Sequence, residues 1–167
     1  MDTRVSKPEY YLDIAQSVLE RATCLRRKYG AVIVKNDEVI ATGYNGAPRG
    51  RENCTDLNFC ARKKLNIKQG QNYELCRSVH AEQNAIISAS RRDTQGATMY
   101  MVGIDAKTGE VLDHIDSCIM CKRVVINAGI EKVIVRDLKT DCGYRVIYVN
   151  DWIKYDEVLE YNKFLND

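Results

Sequence analysis

The sequence predicts an α/β layer fold on a largely central sheet, and three observations carry that expectation. β-rich runs and helix-period runs alternate along the chain, which argues for helices packed on a sheet rather than an all-α or all-β domain. The length of 167 residues, with 45% hydrophobic and 29% charged side chains, suffices for one domain with a proper core and is short for two. No internal repeat, low-complexity tract or Pro/Gly/Ser linker divides the chain. A single domain over residues 1–167 is therefore expected, with residues 43–79 as an inserted Cys-rich loop region.

A first helix is expected from about Pro8 to Arg27, with the proline in its first turn. Tyr11, Ile14, Ala15, Val18 and Leu19 share one face at helical spacing. Gly30 opens AVIVKNDEVIAT, two β-rich runs flanking Asn36-Asp37, which reads as a hairpin. From Gly43 to Val79 the chain reads mostly as loop, polar and rich in Cys and basic residues. So long a loop in a compact domain is functional or tied down. Helical character returns at HAEQNAIISASRR, ATMYMVGI reads as a strand, and residues 105–116 as a connection. CIMCKRVVINAG is a helix ended by Gly129. EKVIVRD and RVIYVN follow as strands, and Asp151 to Leu165 as a final helix.

Charge narrows the classes of partner. Lys and Arg number 25 against 23 Asp and Glu, which gives no global field for a nucleic-acid backbone. The basic clusters are short: Arg26-Arg27-Lys28, Arg49 with Arg51, Arg62-Lys63-Lys64 and Arg91-Arg92. They read as solvated faces, one of which could bind a small phosphate. The opening MDTRVSKPEYYLDIAQ lacks the apolar core of a signal peptide, and no run approaches a membrane span. A cytoplasmic protein is expected, in which the 7 cysteines read as metal ligands or free thiols rather than disulfides.

The most informative pairing is His80-Ala81-Glu82 with Cys118-Ile119-Met120-Cys121. One His and two Cys can hold zinc with one position left open, the arrangement of a catalytic rather than a structural ion. Cys118 and Cys121 are three apart, so both sulfurs can face one ion from a single helical turn. His80 and Cys118 both fall at helix starts, where the dipole favours thiolate and hydroxide. Glu82, not a ligand, stands where it can move protons for a zinc-activated water attacking C4 of a cytosine ring. A lone HxE or CxxC is common by chance. HAE opening a helix, then a strand, then CxxC opening a helix is the pattern of zinc nucleobase deaminases.

On these residues the chain resembles the cytidine and deoxycytidylate deaminase superfamily, and its deoxycytidylate (dCMP) branch most closely. KYGAVIV, ATGYNGAPRG, SVHAEQNAI, GATMYMV, SCIMCKRVVINAGI and EKVIVRD carry the resemblance, from the first helix to about Asp137. It implies a three-layer α/β/α fold with a central mixed sheet of about five strands. It also implies hydrolytic deamination of dCMP to dUMP, which feeds thymidylate synthesis. By resemblance His80, Cys118 and Cys121 bind zinc and Glu82 is the proton shuttle. Asn45 would reach the sugar hydroxyl, and the Ala81 N–H the pyrimidine carbonyl. The carbonyl of Ser117, where the family usually has Pro, would accept the leaving amino group. Phosphate candidates by motif proximity are Arg26, Lys28, Arg49 and Arg91.

Some dCMP deaminases carry a second, structural zinc, with ligands on the first helix and in the loop after GYNG. Cys24 and Cys54 match those positions, and Cys60 and Cys76 would complete four thiolates that tie the loop. The resemblance further implies a homo-oligomer, often a hexamer, activated by dCTP and inhibited by dTTP. Gly43, Tyr44, Gly46 and Gly50 form the candidate effector loop. The competing readings are a deaminase acting on CMP, dCTP, a modified dCMP or a tRNA base, and a non-catalytic zinc-binding module. Retention of Glu82 argues against the last, because a structural site has no use for that carboxylate.

Overall fold

In the computed structural model, which describes residues 3–160, the chain folds into three layers around a five-stranded mixed sheet. The elements are α1 (Lys7–Leu19), β1 (Arg27–Lys35), β2 (Glu38–Tyr44), α2 (Cys54–Leu57), α3 (Ala61–Lys64), α4 (Ala81–Ile87), α5 (Arg91–Thr94), β3 (Thr98–Asp105), α6 (Ile119–Ala128), β4 (Lys132–Arg136), β5 (Tyr144–Tyr148) and α7 (Val149–Lys154). The strand order is β2-β1-β3-β4-β5. Only β3 and β4 pair in parallel, joined by a connection that carries α6; the other pairs are antiparallel.

The period-2 alternation of β1 divides the core. Val32 and Val34 pack with Tyr100, Val102 and Ile134 against Tyr11, Leu12, Ala15 and Leu19 of α1. Ala31 and Ile33 pack with Met99, Met101, Val133 and Val135 against Ala81 and Ala85 of α4 and Val125 of α6. Both faces of the sheet are thus covered, and β1 is buried without interruption from Gly30 to Val34. The hairpin at Asn36-Asp37 takes positive φ at both residues, 52° and 65°, the signature of a type I′ turn. It is pinned to α1 by the Tyr11 hydroxyl, which donates to Asp37 Oδ1 at 2.6 Å.

Four expected elements differ. The first helix ends at Leu19 rather than Arg27, because the chain turns into β1, whose register with β3 begins at Arg27↔Asp105. A continuous eight-residue ladder outweighs the helical pattern there. The run HAEQNAIISASRR breaks in two, with Ser90 capping α5 by accepting the Asp93 N–H at 3.2 Å. The final helix stops at Lys154, and Asp156 caps a new helical turn by accepting the N–H groups of Val158 and Leu159. The expected stretch beyond residue 160 lies outside the described residues. The insert, read as mostly loop, holds α2, α3 and a 3₁₀ turn at Tyr73–Leu75.

Candidate active site

Two helix starts build the centre. His80 is the N-cap of α4 and Cys118 the N-cap of α6, and Cys121 follows in the first turn of α6. Gln83 accepts the His80 N–H at 3.1 Å and so fixes the entry of α4. Gly43 sets the depth of α4 against β2: a Cβ there would lie 2.3 Å from Ala85 N and 2.4 Å from Ala81 O. Only glycine admits that approach.

His80 Nδ1 lies 3.5 Å from Cys118 Sγ and 3.2 Å from Cys121 Sγ. The three donor atoms fall within 4.8 Å of one another, the one such His/Cys/Asp/Glu group among the described residues. One imidazole and two thiols at these separations match the edges of a tetrahedron around an ion with bonds of about 2.0–2.3 Å. The donor set fits zinc and leaves one coordination position for a non-protein ligand. The two thiols are held in opposite directions. Hydrogen bonds from Cys121 and His80 hold the Cys118 thiol well below its usual pKa, and the proton shared with Cys118 pushes Cys121 up. Burial pulls the imidazole of His80 down, but its contact with Cys118 and the charge of Glu82 leave it raised.

Glu82 is 5% exposed and sits beside this group on α4. Burial raises its pKa, against lowering by the nearby His80. A buried carboxyl with raised proton affinity is suited to take up a proton and pass it on, as a shuttle requires. A cleft opens over the centre, lined by His80, Ala81, Glu82 and Cys118 together with Asn45, Tyr29, Met101 and Asp116. Asn45 is spoken for by β1: its Oδ1 accepts the Tyr29 N–H at 2.8 Å and its Nδ2 donates to Arg27 O at 3.0 Å. One amide N–H remains for a ligand. Ala81 presents the N–H of the first helical turn, which has no intrahelical partner. Ser117 is buried, directly before Cys118.

Of the four phosphate candidates, Arg26 alone lines the cleft. Lys28 shares the sheet face of Val32 and Val34, under α1, because it is in phase with them along β1. Arg49 is exposed outside the cleft, and Arg91 donates to Asn127 O at 3.1 Å beside α6. Among the effector-loop residues Gly43 is used in packing, while Gly46 pairs with Val79 and a Cβ on it would meet Thr23 Oγ1 at 2.7 Å. Tyr44 is at the surface, its carbonyl accepting from Asn84, and Gly50 occupies a turn with φ of 87°.

Cys24, Cys60 and Cys76 line the same cleft, and Cys54 is buried with Arg77 Nη1 at 3.8 Å from its sulfur. The Arg26 N–H donates to Cys24 Sγ at 3.4 Å. Sequence reasoning missed Arg27, Tyr29, Arg62 and Tyr73 as cleft residues. Arg62 was expected on a solvated face and is instead buried, while its neighbours Lys63 and Lys64 are exposed. Nothing in an RKK triplet tells which side chain turns inward.

Residues 5–137 match the family described as the cytidine and deoxycytidylate deaminase zinc-binding region. The chain belongs to this family. It is 36% identical over 131 residues to the deoxycytidylate deaminase of Mycobacterium phage D29, covering 75% of this chain and 91% of that one. To the deoxycytidylate deaminase of Schizosaccharomyces pombe it is 32% identical over 132 residues, 78% of this chain but 37% of the yeast protein. The crystal structure of the dCMP deaminase from cyanophage S-TIM5 in apo form overlays with a TM-score of 0.53 at 26% identity, covering 81% of this chain and 85% of that one. The five-stranded mixed sheet and its two helical layers are those of this deaminase family.

Proposed function

We propose that the chain hydrolyses the 4-amino group of a cytosine nucleotide, converting dCMP to dUMP, with zinc held by His80, Cys118 and Cys121. The convergence of those three donors beside a buried Glu82 carries the reading. Similarity to enzymes named deoxycytidylate deaminases selects dCMP within it. When bound, zinc lowers the pKa of a coordinated water toward neutrality. Glu82 takes one proton of the attacking water and passes it to N3 of the ring, then takes the second from the oxygen now bonded to C4 and delivers it to the departing amine. A C4–O bond forms, the C4–N bond breaks, and ammonia leaves. The Ala81 N–H orients the ring carbonyl, and the Ser117 carbonyl accepts from the amino group.

The family resemblance also supports a second, structural zinc on Cys24, Cys54, Cys60 and Cys76, whose sulfurs would have to draw together to bind it, since no three of them converge as those of the His80 group do. Arg77 and the Arg26 N–H offer donors to two of those sulfurs. The family resemblance also supports a homo-oligomer that responds to dCTP and dTTP. The test of the main reading is turnover of dCMP, dCTP, deoxycytidine and CMP by zinc-loaded protein, with products separated by chromatography. dUMP formed selectively from dCMP is expected. Absence of turnover on all four by protein with zinc bound would overturn the reading.

A further inference from the structure

The connection that delivers Cys118 is held from outside the reacting group. After β3 the chain doubles back, the Leu112 N–H donating to Gly103 O at 2.9 Å, and then meets the turn between β4 and β5 residue by residue. Asp113 Oδ2 pairs with Lys139 Nζ at 2.6 Å, and His114 Nδ1 lies 3.3 Å from Asp137 Oδ2. The Ile115 carbonyl accepts from Arg145 Nη2 at 2.7 Å. His114 takes a φ of 50°, a left-handed backbone that a residue with a Cβ keeps only where its surroundings impose it.

These ties are unequal. The Lys139–Asp113 pair and the His114 ring stand in solvent, where such contacts hold little. Arg145 is braced: its Nε donates at 2.8 Å to Asp137 Oδ2, and that carboxylate is fully enclosed, with the Lys139 N–H on its other oxygen at 3.1 Å. A guanidinium is planar, so fixing Nε also fixes where Nη2 points. Burial of the Ile115 side chain sets the depth of the chain, and the Nη2 bond sets the rotation of the peptide that follows. That rotation reaches the metal group. Cys118 has extended backbone, φ −65° and ψ 161°, and precedes the first turn of α6, so the helix alone does not aim its sulfur. Ser117 has no ring to fix its φ. Asp116 secures the helix end of the run, with Oδ1 on the Ser117 N–H at 2.8 Å and Oδ2 on Lys122 Nζ at 3.0 Å.

We propose that Arg145, seated on Asp137, is a positioning residue for the deamination. Its hold on the Ile115 carbonyl sets residues 115–118, and so aims the Cys118 thiolate at the metal and the Ser117 carbonyl at the amino group. This rests on the proposed zinc reaction for what the aimed groups do; the hold itself does not. Arg136 is the natural contrast. It makes an equally short bond, 2.6 Å to Asp13 Oδ1, but ties β4 to α1 on the opposite face of the sheet.

The test compares the full chain as wild type, Arg145→Lys, the double variant Arg145→Met with Asp137→Asn, and Arg136→Met, each also melted thermally. The double variant removes the tie without stranding a buried carboxylate. The first readout is alkylation of Cys118 by iodoacetamide at buffered free zinc, mapped peptide by peptide by mass spectrometry so that the other cysteines do not enter. The zinc needed to protect half of Cys118 should rise about tenfold to a hundredfold in the double variant, and less in Arg145→Lys, which keeps the charge without the fork. In Arg136→Met it should stay within about twofold. The second readout is steady-state turnover of dCMP at saturating zinc, where kcat should fall about tenfold to a hundredfold in the double variant with KM within about twofold. Either readout left at its wild-type value in a folded double variant overturns the proposal. If that variant does not fold, wild-type values in Arg145→Lys overturn it. Equal loss in Arg136→Met also overturns it, since that marks lost stability rather than lost aim. If the wild type deaminates no cytosine compound, the reaction falls, and zinc protection of Cys118 alone decides the hold.

Discussion

The sheet scaffold and the insert solve the same problem in opposite ways. In the scaffold, His80 and Cys118 cap helices whose buried faces close on β1, β3 and β4 in a dry apolar core. In the insert, short helices are held by side chains reaching backbone, as with Arg62 to Lys68 O and Arg77 to Glu52 O. Leu57, Phe59, Leu65 and Leu75 remain exposed there. The scaffold places the reacting groups rigidly, as bond-making chemistry needs. The insert contributes Arg62, Tyr73 and Cys76 to the wall of the cleft.

That contrast can be broken at graded cost. The largest effect is expected from Glu82→Gln, which removes the proposed proton shuttle while leaving the carboxamide in the same volume. Turnover should fall about 10²–10⁴-fold with zinc content unchanged, read by steady-state rates and metal analysis. Gly43→Ala should come next, acting on the scaffold. The added Cβ meets backbone atoms of α4, so α4 must move away from β2. A loss of at least about 1–3 kcal/mol in denaturant unfolding is expected, together with weaker zinc binding.

A third test concerns the far end of the scaffold. Asp137 is fully enclosed; burial raises its pKa, but the Lys139 N–H, Arg145 at 2.8 Å and the nearby His114 outweigh it and hold it below the usual value. Its folded pKa is thus below the unfolded one of about 3.9. The unfolded chain takes up the proton first as pH falls, so this stabilisation is present above about pH 4 and lost through the depressed value. Urea midpoints measured from pH 3 to 7 should drop less steeply on the acid side for Asp137→Asn than for wild type. The smallest effect belongs to Lys63→Ala in the insert. With its side chain in solvent, stability should change by less than about 0.5 kcal/mol and turnover not at all.

Much of this was legible in the sequence, and what was not has identifiable causes. The apolar runs AVIV and ATMYMVGI gave the central strands β1 and β3, because both sheet faces are buried there and demand apolar side chains. HAE and CIMC pointed to the three donor atoms that the fold brings together, because ligand chemistry restricts residue type and spacing together. The end of the first helix was misplaced, since Ala22 continues the helical pattern and is buried even though the chain has already turned. Gly43, in the loop expected to receive an effector, proved to be a contact between β2 and α4, which only the neighbouring backbone reveals. Arg62 was hidden because charge is ordinarily an outward signal, and its inward turn depends on Tyr73, eleven residues further along the chain.

The most direct measurement is dCMP turnover before and after removal of metal by a chelator, with zinc then restored. Steady formation of dUMP, lost on chelation and regained with zinc in proportion to occupancy of the His80/Cys118/Cys121 group, is expected. Turnover that persists in metal-free protein, or its absence in protein with that group fully loaded, would contradict a zinc deaminase built on these residues.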